Sequence, residues 1–166
     1  RFTEGYGLNQ EYLAKAKADG VGLVITVDCG TRSFDPIAWA QENGLDVIVT
    51  DHHLSDPERG IPAAAAVVNP NQAGCEYPDK QLAGVGVALK LAQALIGDGG
   101  HPEQMNEFLE IAAIGTVADV MKLTGENRSI VSLGLRQLTR TRNHGLRALM
   151  EISDCTAEMT SLHIGF

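Results

Sequence analysis

Short apolar runs separated by polar, cappable breaks fill the first half of the chain, and apolar positions at helical spacing fill the second. Val21 to Val27 is one such run, rich in β-branched residues, and Leu45 to Thr50 is another. Runs of that length and composition suit strands buried on both faces. Between them, Asp35 followed by Pro36 offers an N-cap and a first-turn proline, apolar positions continue through Trp39, and Gly44 closes the segment. Strand, short helix and strand in about 30 residues form a βαβ unit. Such units build parallel sheets with right-handed crossovers. Upstream, Asn9 caps a helix predicted through Ala18, with Gly20 as its stop. Downstream, Ala64 to Val68 is a third strand.

After that strand, Asn69 to Lys80 is a polar loop with two prolines and a glycine. From Leu82 the period changes, since Val85, Ala88, Leu89, Ala92, Leu95 and Ile96 recur at helical spacing until Gly97 to Gly100 ends the helix. A helix over Pro102 to Ala118 is almost wholly apolar from Phe108 to Val117, which predicts burial. Further helices are predicted over Arg128 to Thr139 and Leu146 to Ile152, and Trp39 and Phe108 fall on apolar faces as core residues. The fold class is therefore α/β, a parallel sheet with flanking helices followed by a helical second half.

Composition narrows the function classes. The 166 residues are 44% hydrophobic and 20% charged, an ordinary globular balance that excludes disordered and fibrous classes. No apolar run approaches the ~18 residues of a membrane helix, so no membrane partner is expected. Cys29, Cys75 and Cys155 form no close pair of the kind thiolate zinc or redox motifs use, and a reducing cytoplasm is the natural compartment. The net charge of −8 argues against nonspecific nucleic-acid binding. Charge is unevenly spread, however: residues 121–150 hold 6 basic side chains and 1 acidic one. Arg136 and Arg140, four apart, are expected on one helix face, as a phosphate-backbone contact or as a solvated basic surface.

In a parallel sheet, ligands bind beyond the carboxyl ends of the strands. The first strand delivers Asp28-Cys29-Gly30 there and the second delivers Asp51-His52-His53. If these strands are neighbours, Asp28 and His52 project from one sheet edge and can share an ion. Asp28 alone reads equally well as a turn former. The pair of histidines with an adjacent carboxylate to fix a tautomer is harder to explain as surface. Asp119 closes the apolar stretch that starts at Ile111. A carboxylate so placed is expected to be at least partly buried, which calls for a metal or for a salt bridge to Lys122 or Arg128, and spacing does not separate the two. Mixed Asp and His ligands favour Mn²⁺ or Mg²⁺ over a thiolate zinc site, and two such ions ~3.5–4 Å apart are the usual apparatus for phosphodiester hydrolysis.

Asp51-His52-His53, with Arg1 to Leu8, Val27 to Gly30, Ile48 to Leu54, Val68 to Asn71, Leu82 to Ala88 and Gly115 to Met121 in that order, resembles the DHH phosphoesterases, most closely their RecJ-type single-strand exonuclease branch. The resemblance implies that Asp28 bridges two metal ions, that His52 and Asp119 ligate one of them, and that His53 meets the substrate phosphate with Asp51 behind it as orienter. It implies Mn²⁺ or Mg²⁺, hydrolysis of single-stranded DNA from the 5′ end to 5′-mononucleotides, a role in repair and recombination, and single-stranded DNA and other repair proteins as partners. Cys29 stands where many relatives carry Asn or Ala and reads as a tolerated small residue. The family's first, aspartate-rich strand and its carboxyl-terminal substrate-binding domain have no counterpart in the chain, so residues 1–166 read as a partial DHH domain.

Other readings stay open. A nano-RNA or phosphoadenosine phosphatase, or a cyclic dinucleotide phosphodiesterase of the same superfamily, would keep the same metals. A non-catalytic nucleic-acid-binding module would keep only the fold. Gly84-Val-Gly86 lacks the third glycine of a dinucleotide fingerprint, which leaves close helix packing or a phosphate contact. The expected outcome for the 166-residue chain alone is no metal-dependent loss of labelled single-stranded DNA. Metal-dependent degradation by this chain, at a rate that His52→Ala leaves unchanged, would contradict that expectation.

Overall fold

The computed structural model describes residues 7–97, 102–155 and 159–165; Arg1 to Tyr6 of the first sequence block and the glycines at 99 and 100 lie outside that range. Contacts divide the chain into two units, Arg1–Lys80 and Gln81–Phe166.

The first unit runs α1 (Gln10–Ala18), β1 (Leu23–Val27), α2 (Phe34–Glu42), β2 (Asp46–Thr50) and β3 (Ala66–Val68). The strands form a parallel sheet in the order β1-β2-β3, with Val24 opposite Val47, Val27 opposite Thr50, and Thr50 opposite Val68. Asn9 caps α1 by accepting the Glu11 N–H at 2.8 Å. One sheet face is packed. Val47 and Val49 bury against Leu13 of α1 and against Ile37 and Ala40 of α2, with Val24, Trp39 and Val67 at the margin.

The expectation that β1 is buried on both faces is not met. Leu23, Ile25 and Val27 alternate out of the packed face and are 47%, 47% and 53% exposed, because α1 and α2 both lie against the other side. Capping differs too. The N-cap of α2 is Ser33, and Asp35 lies inside the first turn. There its carboxylate faces the positive end of the helix dipole, and Pro36 falls among positions whose N–H has no intrahelical partner.

The second unit is helical: α3 (Gly84–Ile96), α4 (Pro102–Ala118), α5 (Gly125–Leu138), α6 (His144–Ile152) and α7 (Ser161–Gly165). Helix α4 has the predicted bounds, yet Phe108 and Ile111 are 40% and 49% exposed, while Glu110, Ala112, Ala113 and Thr116 are buried. Its apolar run is therefore half core and half surface. A Cβ at Gly134 of α5 would overlap the Leu109 carbonyl and Ala113, so α4 and α5 cross at close range there. Helix α5 starts three residues before the predicted Arg128, and Asn127 in its first turn is buried, donating to the carbonyls of Gln81 and Lys122. Among the described residues no helix is long and apolar enough to cross a membrane.

Gly30 follows β1 at φ +113°, where a Cβ would lie 2.9 Å from Thr26 Oγ1 and 3.1 Å from Val49 Cγ1. Gly30→Ala therefore combines backbone strain with a clash in the packed layer. It is expected to lower stability by about 2 kcal/mol, read from the urea unfolding midpoint; an unshifted midpoint would show that the loop relaxes freely.

Candidate metal centre

Because β1 and β2 are parallel neighbours with Val27 opposite Thr50, the next residue of each strand emerges at the same edge of the sheet. The ladder continues one step, with Asp28 N–H donating to Thr50 O at 3.0 Å and Asp51 N–H to Val68 O at 3.1 Å. Asp28 then turns at φ 61°, a left-handed conformation that Asp tolerates better than most side chains. Its Oδ1 lies 3.1 Å from His52 Nε2. One ligand atom from each of Asp28, Asp51, His52 and His53 lies within 4.8 Å of the others. Oxygen and imidazole donors without a thiolate are a set suited to Mn²⁺ or Mg²⁺.

The four side chains are not equivalent. Asp51 is 1% exposed. Its Oδ2 accepts the Thr31 N–H at 3.0 Å, and its Oδ1 accepts the N–H groups of His52 and His53 at 2.8 and 3.3 Å. Burial raises the Asp51 pKa, but hydrogen bonds from Thr31 and His53 outweigh it and hold the carboxyl at about 2. Since Asp51 is ionised, the 2.7 Å contact to His53 is an Nδ1–H donated by the ring. That fixes the His53 tautomer and leaves its Nε2 directed away from Asp51. A cavity of about 490 Å³ opens here, with Asp28, Thr31, Arg32, Ser33 and His53 on its walls.

Sequence reasoning gave no individual role to several residues that build this edge. Arg32 donates from Nε to the Leu54 carbonyl at 3.0 Å and from Nη2 to that of Ser55 at 3.4 Å, so its guanidinium stands on the cavity wall. Asn69, buried at the end of β3, donates to Thr31 Oγ1 at 2.9 Å and to the His53 carbonyl at 2.8 Å. Asn71 donates to the His52 carbonyl at 2.6 Å, and its own N–H goes to Asn69 Oδ1 at 2.8 Å. The available signal was two asparagines around a proline at the end of a third parallel strand, hence at the same sheet edge.

The other predicted site residues belong to the second unit. Asp119 is exposed, so the burial expected of it is not met: α4 ends at Ala118 and Asp119 lies one residue past the helix, before Val120 at φ 57°, an unusual backbone for a β-branched residue. Gly84 and Gly86 are buried in the first turn of α3, and a Cβ at Gly86 would lie 3.1 Å from Leu82, which supports the packing explanation. Arg136 is in the last turn of α5, but Arg140 lies beyond its C-cap Thr139, so the two do not share one helix face as expected. Cys29 lines the cavity, and burial together with the charges of Asp51 and Asp28 pushes its thiol pKa up, which disfavours a nucleophilic thiolate.

Residues 4–116 match the model of the DHH family, N-terminal domain. The chain belongs to the DHH family. It is 50% identical over 153 residues to the single-stranded-DNA-specific exonuclease RecJ of Bacillus subtilis, covering 92% of this chain and 19% of that protein. It is 39% identical to the Escherichia coli RecJ, covering 100% of this chain and 30% of that protein. The chain thus spans less than a third of the length of these relatives. Among solved structures, an exonuclease RecJ bound to manganese superposes with a TM-score of 0.85 at 35% identity, over 100% of this chain and 41% of that one. RecJ from Thermus thermophilus in complex with Mn²⁺ gives a TM-score of 0.78 at 32% identity, over 95% and 23% of the two chains. These matches accord with the parallel sheet and flanking helices of this DHH domain.

The folded pKa of Asp51, about 2, lies below the ordinary value near 3.9. Its ionised form therefore contributes stability that is complete above about pH 4 and is lost as pH falls through about 2. Asp51→Asn should cost about 2 kcal/mol at pH 7 and flatten the stability profile between those limits, measured by denaturant unfolding with chelator present. A profile as steep as that of the unsubstituted protein would show that Asp51 is not the group responsible.

Proposed function

We propose that the protein containing this chain is a metal-dependent phosphodiesterase, a single-stranded-DNA-specific exonuclease that digests from 5′ to 3′. The observation that carries the reading is the Asp28–His52 contact at two adjacent parallel strand ends, beside an oriented His53 at the mouth of a cavity. The names of the relatives supply the substrate class, and the manganese-bound neighbour supports the metal. In this reading Asp28 and His52 hold Mn²⁺ or Mg²⁺, with Asp119 as a further ligand by its match to the family motif. Two bound ions would lower the pKa of an attacking water and neutralise the phosphate.

The chain's own side chains do the rest. Asp51 keeps the His53 ring at one angle by accepting its Nδ1–H, so in the doubly protonated ring the outward Nε2–H is placed to donate to a phosphate oxygen without reorganisation. Arg32 adds a positive charge to the same cavity wall. Arg136 and Arg140 are read as backbone contacts for the rest of the strand; the buried setting of Gly84 and Gly86 supports packing for them instead. The chain is read as part of a DHH domain, working in the cytoplasm in DNA repair and recombination; its three free cysteines suit that compartment.

The full-length protein is expected to release mononucleotides from the 5′ end of labelled single-stranded DNA with Mn²⁺, and His52→Ala is expected to slow this at least 100-fold. The same preparation should be offered dinucleotides and cyclic dinucleotides. Turnover of those with none on long strands would overturn the exonuclease assignment in favour of a small-nucleotide phosphodiesterase.

A further inference from the structure

The two histidines of the centre sit on a turn without regular secondary structure, and their main-chain carbonyls are held by side chains from the segment after β3. Asn71 Nδ2 donates to the His52 carbonyl at 2.6 Å, and Asn69 Nδ2 donates to the His53 carbonyl at 2.8 Å. Asn69 is 2% exposed, and the same amide reaches Thr31 Oγ1 at 2.9 Å, on the loop whose N–H meets Asp51. The segment bearing the asparagines is itself fixed. Asn71 N–H closes onto Asn69 Oδ1, Gln72 Nε2 reaches the Val67 carbonyl at 2.9 Å, and Lys80 Nζ bonds the carbonyls of Pro70 and Cys75 at 2.7 and 2.6 Å. The histidine backbone is thus gripped on two sides, its N–H groups by Asp51 and its carbonyls by the asparagines.

From this we infer that Asn69 and Asn71 are positioning residues for the metal centre, with Asn71 setting the angle at which His52 faces Asp28. The inference rests on the reading of Asp28 and His52 as metal ligands. A side chain bonded to a ligand's own backbone limits the ring's excursions, and loss of such outer partners weakens metal affinity about 10- to 100-fold. Asn71 is the residue to test, because it is half-buried on a loop while Asn69 is core. Truncating Asn71 removes one donor and leaves the Asp51 grip in place.

The experiment measures Mn²⁺ binding to the full-length protein by calorimetry, with melting temperature and single-strand hydrolysis at graded Mn²⁺. The proteins compared are unsubstituted, Asn71→Ala, Asn71→Ser and His52→Ala. Both Asn71 variants should bind Mn²⁺ about 10-fold more weakly and melt near the unsubstituted temperature. At saturating Mn²⁺ their kcat should recover, a rescue that general destabilisation would not produce. Serine keeps a hydroxyl too short to reach the carbonyl, so it should behave as alanine does, and it serves as the second variant if alanine impairs folding. Unchanged Mn²⁺ affinity in the Asn71 variants, with weakened binding in His52→Ala, would overturn the positioning role alone. Unchanged affinity in His52→Ala would overturn the metal centre itself.

Discussion

The candidate site depends on one buried carboxylate. Removing Asp51 from water costs several kcal/mol unless its charge is met, and the chain meets it with three backbone N–H groups and one imidazole. Each donor comes from a part of the chain that builds the candidate site: the loop after β1, the backbone of both histidines, and the ring of His53. Folding and site assembly are therefore one event here. Thr31 cannot leave Asp51 without exposing a buried charge, and the His52-His53 turn cannot flip without abandoning three hydrogen bonds to Asp51.

The sheet supplies the other half of the constraint. Two parallel strands in register deliver their next residues to one edge, and the third strand does the same with Asn69. Asp28, the Asp51-His52-His53 turn and Asn69 are neighbours although they are far apart in sequence. The packed layer below them is tight enough that Gly30 has no room for a side chain. Rigid support under a turn lowers the cost of holding polar groups in fixed orientations before a substrate arrives.

Much of this was legible in the sequence because it follows local rules. Apolar runs gave the βαβ unit, Asn9 gave the start of α1, and the bounds of α4 followed from Pro102 and the apolar run ending at Ala118. Asp28, Asp51, His52 and His53 were visible as polar residues at strand ends. What stayed hidden is not periodic. Leu23, Ile25 and Val27 look like any buried strand, since exposure of their face depends on which side α1 and α2 pack. The grip of Asn69 and Asn71 on the histidine carbonyls spans 16 and 19 residues. It joins side chain to backbone and leaves no pattern that helix or strand period can detect. Arg140 falls outside α5 because the helix closes at Leu138, and the i, i+4 rule carries no information about that end.

Asp28 and Asp51 show how one residue type takes opposite tasks at matching positions. Both follow a parallel strand and both donate their N–H to the neighbouring strand. At Asp28 the left-handed backbone turns the carboxylate toward the opening, and its side chain is 46% exposed. Asp51 points inward, its side chain 2% exposed and its oxygens engaged by backbone and imidazole. A carboxylate whose lone pairs are already used is a poor ligand for a cation arriving from solvent, whereas an outward carboxylate 3.1 Å from an imidazole nitrogen gains from one. Exchanging the two environments would leave an unpaired charge in the core and a fully bonded carboxylate at the mouth. The backbone angle at residue 28 and the donors around residue 51 therefore leave one of two chemically identical side chains open at the cavity and tie the other into the scaffold.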